Sequence, residues 1–190
     1  MPTVILRPNQ AGDRTEWPWQ YPSTGEHWDK VDDVTPDEDS TYIYISRAEA
    51  GSHKDLYNLP SPGIPSGAQI DYVRVYIRCR GSGFTFARAR PVIKTHGMEY
   101  APTYMSFGTS YSTQSHEWAT NPYTGEAWSL DELESLQAGV EGVRGMMYDP
   151  WTGLIRYDDT YCTQVYVEIG YTEVVVAAKR YVGDGIVWAE

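Results

Sequence analysis

An all-β fold, an antiparallel sandwich or jelly roll, is what this 190-residue sequence predicts. Three observations carry the expectation. Apolar residues alternate with polar ones in many short segments. Clusters of Gly, Pro, Asn, Asp and Ser separate those segments. Only one stretch reads as a helix.

The predicted strands fall near 3–7, 41–46, 69–80, 84–95, 103–107, 111–118, 161–169 and 171–178, with shorter pieces near 140–146 and 185–188. The breaks between them include "NLPSPGIPSGAQ" (58–69), "GSG" (81–83), "HGM" (96–98) and "FGTS" (107–110). The "GSG" and "HGM" turns are expected to join neighbouring strands as hairpins. The helical stretch is "SLDELESLQAG" (129–139), a short helix near 129–138. Ser129 and Glu132 have capping-box spacing. Leu130, Leu133 and Leu136 make one apolar stripe, and Gly139 suits the left-handed position after a helix. Such a helix would plug an open end of the sandwich.

Three segments are expected: an irregular, Trp-rich arm over 1–40 packed on the core or on a neighbour, the sandwich over 41–178, and a second arm over 179–190. The first arm holds Trp17, Trp19 and Trp28 among many prolines and is too aromatic to stay disordered. The N-terminus lacks the basic-then-apolar pattern of a secretory leader, and no apolar run reaches the ~18 residues of a membrane helix.

Pro-x-Thr-Gly occurs three times: "YPSTGEHW" (21–28), "NPYTGEAW" (121–128) and "DPWTGL" (149–154). The flanking strands do not repeat, which argues against a duplicated domain. Pro and Gly at these offsets suit one turn used three times. Each copy also brings large aromatics, Trp28, Tyr123 with Trp128, and Trp151, which would be placed for a glycan or a second subunit.

Sixteen Tyr and seven Trp against three Phe give the chain many rings with a polar handle, suited to half-buried surfaces and interfaces. The net charge of −11 argues against nucleic acid as a partner. The charge is uneven. Residues 71–94 hold six bases (Arg74, Arg78, Arg80, Arg88, Arg90, Lys94) and one acid, whereas 13–39 hold nine acids and two bases. Contact between neighbouring copies through Arg74, Arg78, Arg80, Arg88 and Arg90 is the functional reading of this polarity; solvated strand faces are the structural one.

Little else suggests chemistry. His27, His53, His96 and His116 are scattered, and "HEWAT" (116–120) has no second zinc ligand. No nucleophile elbow, phosphate loop or Cys/His cluster occurs. No catalytic residue and no cofactor is expected. Asp32, Asp33, Asp37 and Asp39 are a calcium candidate by oxygen chemistry, without EF-hand spacing. Alternation places Cys79 in the core and Cys162 on the opposite face, so no disulfide is expected between them.

The stretch "TNPYTGEAWSLDELESLQAGV" followed by "CTQVYVEIGY", preceded by "TYIYISR" and "DLYNLPSPGIPSGAQIDYVRVYIRCR", resembles a β-sandwich module of structural proteins in tailed bacteriophages and related prokaryotic viruses. The resemblance spans about residues 40–172. It implies a virion location after synthesis in the host cytoplasm, partners among copies of the same chain and other virion proteins, and no enzymatic activity. The first reading is therefore a capsid decoration or cement subunit acting by packing between subunits. The alternative is a carbohydrate-binding sandwich module, calcium-assisted or not. Its contacts, glycan or protein, would come from Trp17, Trp19, Trp28, Tyr123, Trp128, Trp151 and Trp188. Neither reading involves nucleic acid or a membrane.

Overall fold

The structure is a computed structural model that describes residues 1–83, 87–174, 180–182 and 185–187. In chain order its strands are β1 (Thr3–Leu6), β2 (Gln10–Thr15), β3 (Trp19–Tyr21), β4 (Tyr42–Ile45), β5 (Ser52–Asn58), β6 (Gln69–Gly81), β7 (Ala87–Thr95) and β8 (Met98–Tyr100). There follow β9 (Met105–Phe107), β10 (Ser112–Trp118), the helix α1 (Leu130–Glu134), β11 (Gln137–Val143), β12 (Gly145–Asp149) and β13 (Leu154–Asp158). The chain ends with β14 (Thr160–Thr172), β15 (Arg180–Val182) and β16 (Gly185–Val187).

Two six-stranded antiparallel sheets form the sandwich, as the alternation predicts. The first has the order β10-β6-β14-β4-β3, with β1 also on β14; the second has β2-β5-β11-β7-β8, with β9 also on β7. Val73, Val75 and Ile77 of β6 and Val165, Val167 and Ile169 of β14 are fully buried, as are Ala138 and Val140 of β11 and Ile93 of β7. These inward rows form one apolar core.

The first 40 residues are not an irregular arm. They supply β1 and β3 to the first sheet and β2 to the second. Where the chain crosses between sheets, Trp17 is sealed into the core and its indole N–H donates to the Val140 carbonyl. Gly142 makes room for it, because a Cβ there would meet the Trp17 ring at 2.6 Å. The crossing is pinned by fully buried Asp55. Its carboxylate accepts from the Glu16 and Trp17 amides and the Tyr57 hydroxyl, and lies 2.6 Å from His27 Nδ1. A buried carboxylate satisfied on this scale fixes local geometry.

Four local expectations change. The helix ends at Glu134, capped by Ser135, and Gly139 lies in β11, where a Cβ would strike the Asp55 carbonyl. The capping box of Ser129 and Glu132 does form, and Leu133 and Leu136 are buried. The "HGM" turn joins β7 to β8 as a hairpin, but "GSG" carries the chain from the first sheet to the second. The run from 161 to 172 is one strand, β14, bulged at residue 163. That extra residue reverses which positions face inward, so Cys162 is buried, directly opposite Cys79.

Two of the three Pro-x-Thr-Gly segments are the same turn. Asn121 and Asp149 each accept, at their side-chain oxygen, the amide two residues on. Each carbonyl then accepts the amide of a glycine in the left-handed region, Gly125 or Gly153. The first copy differs: Tyr21–Pro22 is cis, and Gln20 donates to the Gly25 carbonyl.

Candidate functional site

Among the described residues, the outer face of the first sheet carries the largest gathering of stacked aromatic side chains. In β4, Ile43 and Ile45 point into the core, so Tyr42 and Tyr44 point out. Trp19 and Tyr21 of β3 flank them, with Trp19 opposite Tyr44 and Tyr21 opposite Tyr42. Tyr161 of β14 lies opposite Tyr44 on the other side and opposite Arg80 of β6. One row of side chains therefore crosses four strands: Trp19, Tyr44, Tyr161, Arg80.

The rings are ordered against one another. Trp19 and Tyr44 have centroids 6.3 Å apart at 26°, and Tyr44 and Tyr161 5.6 Å apart at 15°. Tyr21 stacks on Tyr42 at 5.4 Å, and Tyr42 meets Tyr161 edge to face at 5.3 Å. Trp19 is 49% exposed and Tyr21 51%, so the strip is most open at the β3 edge. At the other end the Arg80 guanidinium lies 4.0 Å over the Tyr161 ring. Arg80 also donates to Asp39 and packs on Tyr111.

Polar groups border the rings. The Tyr161 hydroxyl donates to Asp159 at 3.2 Å. Burial, then the Asp159 carboxylate, pushes the Tyr161 hydroxyl up to about 12. Burial also raises that of Tyr42. These hydroxyls stay protonated at neutral pH and can both donate and accept.

The acidic segment 31–41 bounds the strip on one side. It occupies the edge of β14 between β4 and β1: the Val165 amide donates to the Val31 carbonyl, and Gln164 donates to that of Asp33. At the bulge, the Thr163 hydroxyl donates to the Glu38 and Thr41 carbonyls. Glu38, held in the left-handed region at φ 58, reaches Arg78. Beyond that ion pair lies a second group, with Tyr76 and Tyr166 stacked at 4.5 Å and Arg7 over Tyr166.

The residues expected from sequence divide. Trp19 lies in the strip. Trp17 and Trp128 are core residues, 2% and 3% exposed, each with its indole N–H donated to a backbone carbonyl, and are not available as contacts. Trp28 packs half-buried against the core. Tyr123 is exposed but stacks on His96 at 4.5 Å beside the second sheet, and Trp151, 94% exposed, sits in the β12–β13 turn. Trp188 and half of the expected 179–190 arm lie outside the described residues.

Four of the five arginines are paired within the chain. Arg74 contacts Glu117 and Glu168, Arg78 contacts Glu38, Arg80 contacts Asp39, and Arg90 contacts Glu141. The polarity of the sequence is largely consumed by long-range pairs inside one fold. Arg88 is exposed opposite Val143. Among the described residues no cluster of three or more His, Cys, Asp or Glu side chains could hold a metal. Asp33 and Asp37 both accept from the Thr41 hydroxyl, Asp39 turns to Arg80, and Asp32 makes no common site with them.

Sequence reasoning missed Tyr21, Tyr42, Tyr44 and Tyr161. The signal for Tyr42 and Tyr44 was present in "TYIYIS", where two isoleucines claim the inner face. Nothing in the sequence placed Tyr161 beside them, because the bulge and the strand order decide that.

No protein-family profile matches the chain, and no curated protein matches it by sequence. Among solved structures it is similar to a point variant of CBM29-2, described as a family 29 carbohydrate binding module. The identity is 9% and the TM-score 0.41, over 88% of this chain and 87% of that one. It is also similar to BiXyn10A CBM1 in its apo form, at 12% identity and TM-score 0.37, over 87% of this chain and 100% of that one.

Proposed function

We propose that the chain is a non-catalytic carbohydrate-binding sandwich module whose site is the strip Trp19, Tyr44, Tyr161 with Tyr21 and Tyr42. The carrying observation is the row of near-parallel rings on an open sheet face, half exposed at its edge and bordered by Asp159, Asp39 and tyrosine hydroxyls. Sugar rings offer apolar C–H faces and a rim of hydroxyls. An aromatic surface with a few polar groups at its margin matches both. The strip is preorganised, because each ring rests on the next, so little side-chain freedom is lost on binding. The net charge of −11 disfavours a polyanionic ligand.

The test is a titration with soluble oligosaccharides and insoluble polysaccharides, read by tryptophan fluorescence and by co-sedimentation. Binding of at least one glycan, weakened about tenfold or more in Trp19→Ala and in Tyr44→Ala, is expected. A broad panel that leaves both readouts flat would remove the proposal.

A second reading, assembly as a virion structural subunit, is favoured by the β12–β13 hairpin. Met146, Tyr148, Trp151, Leu154 and Ile155 on it are all more than half exposed. Its strands pair with each other in a separate two-stranded sheet. Both the apolar surface and the strand edges suit a second copy of the chain. Absolute mass by light scattering over a wide concentration range decides it: self-association lost in Trp151→Ser supports this reading, and a strict monomer removes it.

A further inference from the structure

Cys79 and Cys162 face each other in the pairing of β6 with β14, and neither exposes any surface. Opposed residues of antiparallel strands have Cα atoms about 4.5–5.5 Å apart. A disulfide needs about 4.4–6.8 Å. Both side chains point into the same core. Both are free thiols in the structure. The bulge at residue 163 creates this arrangement by turning Cys162 inward.

We propose that Cys79 and Cys162 are a disulfide-forming site that closes within one chain under oxidising conditions. The oxidant is a small-molecule disulfide such as oxidised glutathione. One cysteine thiolate attacks it, a protein–glutathione mixed disulfide forms, and one glutathione thiolate leaves. The second cysteine thiolate attacks the protein sulfur of that mixed disulfide, the protein disulfide forms, and the second glutathione leaves. Two electrons and two protons pass from the protein to the glutathione pair. Because both thiols are sealed in the native core, the exchange takes place before the two sheets close or during opening of the core. Arg80 and Tyr161 are the next residues along each strand and are themselves register partners. The bond therefore fastens the two strands directly beneath the aromatic strip. The inference holds whatever the strip binds.

The test is refolding of the full chain from denaturant in a mixture of oxidised and reduced glutathione. Thiol alkylation in denaturant and intact mass follow. Expected are a monomer about 2 Da lighter, no alkylation until dithiothreitol is added, and a thermal midpoint raised by roughly 5–15 °C. The Cys79→Ala/Cys162→Ala variant should show no dependence of its midpoint on the redox mixture. Two alkylatable thiols after oxidative refolding, stable glutathione adducts, or disulfide-linked dimers would each overturn the proposal. If the double variant does not fold, the mass and alkylation of the wild-type chain decide it alone.

Discussion

The two outer faces of the sandwich follow the same strand alternation and are finished in opposite ways. On the second sheet, Glu141 takes a bidentate pair from Arg90, accepts from the Tyr104 hydroxyl at 2.6 Å and lies 3.5 Å from Lys54. Lys54 also donates to Glu99, which accepts from Arg14. Each of these charges is answered within the chain. On the first sheet, the strip from Trp19 to Tyr161 answers ring with ring and leaves apolar surface open to solvent. A saturated ionic face serves the fold. A face whose rings are ordered but half uncovered has binding capacity to spare.

The largest test of this contrast is Glu141→Ala. It leaves Arg90 and Lys54, both mostly buried, without their shared acceptor. A loss of about 2–3 kcal/mol in urea unfolding is expected, with glycan affinity unchanged. Trp19→Ala should do the reverse: affinity down about tenfold or more, that is ~1.4 kcal/mol, and stability altered by under ~0.5 kcal/mol. A variant on either face that moved both readouts equally would break the comparison.

Acid sharpens it further. Burial raises the Glu141 carboxyl, but Tyr104, Lys54 and Arg90 outweigh it and hold the group below its ordinary value; Glu99 is lowered in the same way by Lys54 and Arg14. Groups held low contribute stability that is complete above their unfolded value, about 4.5, and is lost as pH falls through the folded one. Burial, with neighbouring acids, pushes Asp32 and Asp33 of the first sheet's acidic segment the other way, so protonation there relieves a cost. Stability should therefore fall below pH ~4.5, less steeply in Glu141→Gln. Glycan binding should stay level from pH ~6 to ~9, because burial pushes the Tyr161 and Tyr42 hydroxyls up, away from this range.

The smallest effect concerns calcium. The aspartates of the acidic segment are engaged by Thr41 and Arg80, so chelation should change glycan affinity less than about twofold. Isothermal titration with and without a chelator measures it.

What the sequence revealed was local, and what it concealed was long-range. Alternation placed Val73, Val75 and Ile77 inside, and the capping box located α1, because both signals lie within a few residues. The strands β2 and β3 were hidden by Gly12 and by Pro18 beside exposed tryptophan; they exist because Asp55 and the core hold Trp17 between them. Arg78 and Arg80 looked unpaired because Glu38 and Asp39 lie some forty residues earlier. Cys162 was assigned to the wrong face because one inserted residue inverts parity, and nothing in "YCTQVYVEIGY" announces the insertion.

Arg80 lying over Tyr161 has one more consequence. The strip is bare and apolar at the β3 edge and ends in a guanidinium at the other, so its two ends differ in chemistry. A linear ligand lying along it would meet bare rings at one end and a cation at the other, so its two directions are not equivalent. For the proposed glycan, one of the two directions should then be preferred, and an oligosaccharide spin-labelled at its reducing end should broaden resonances at one end of the strip only.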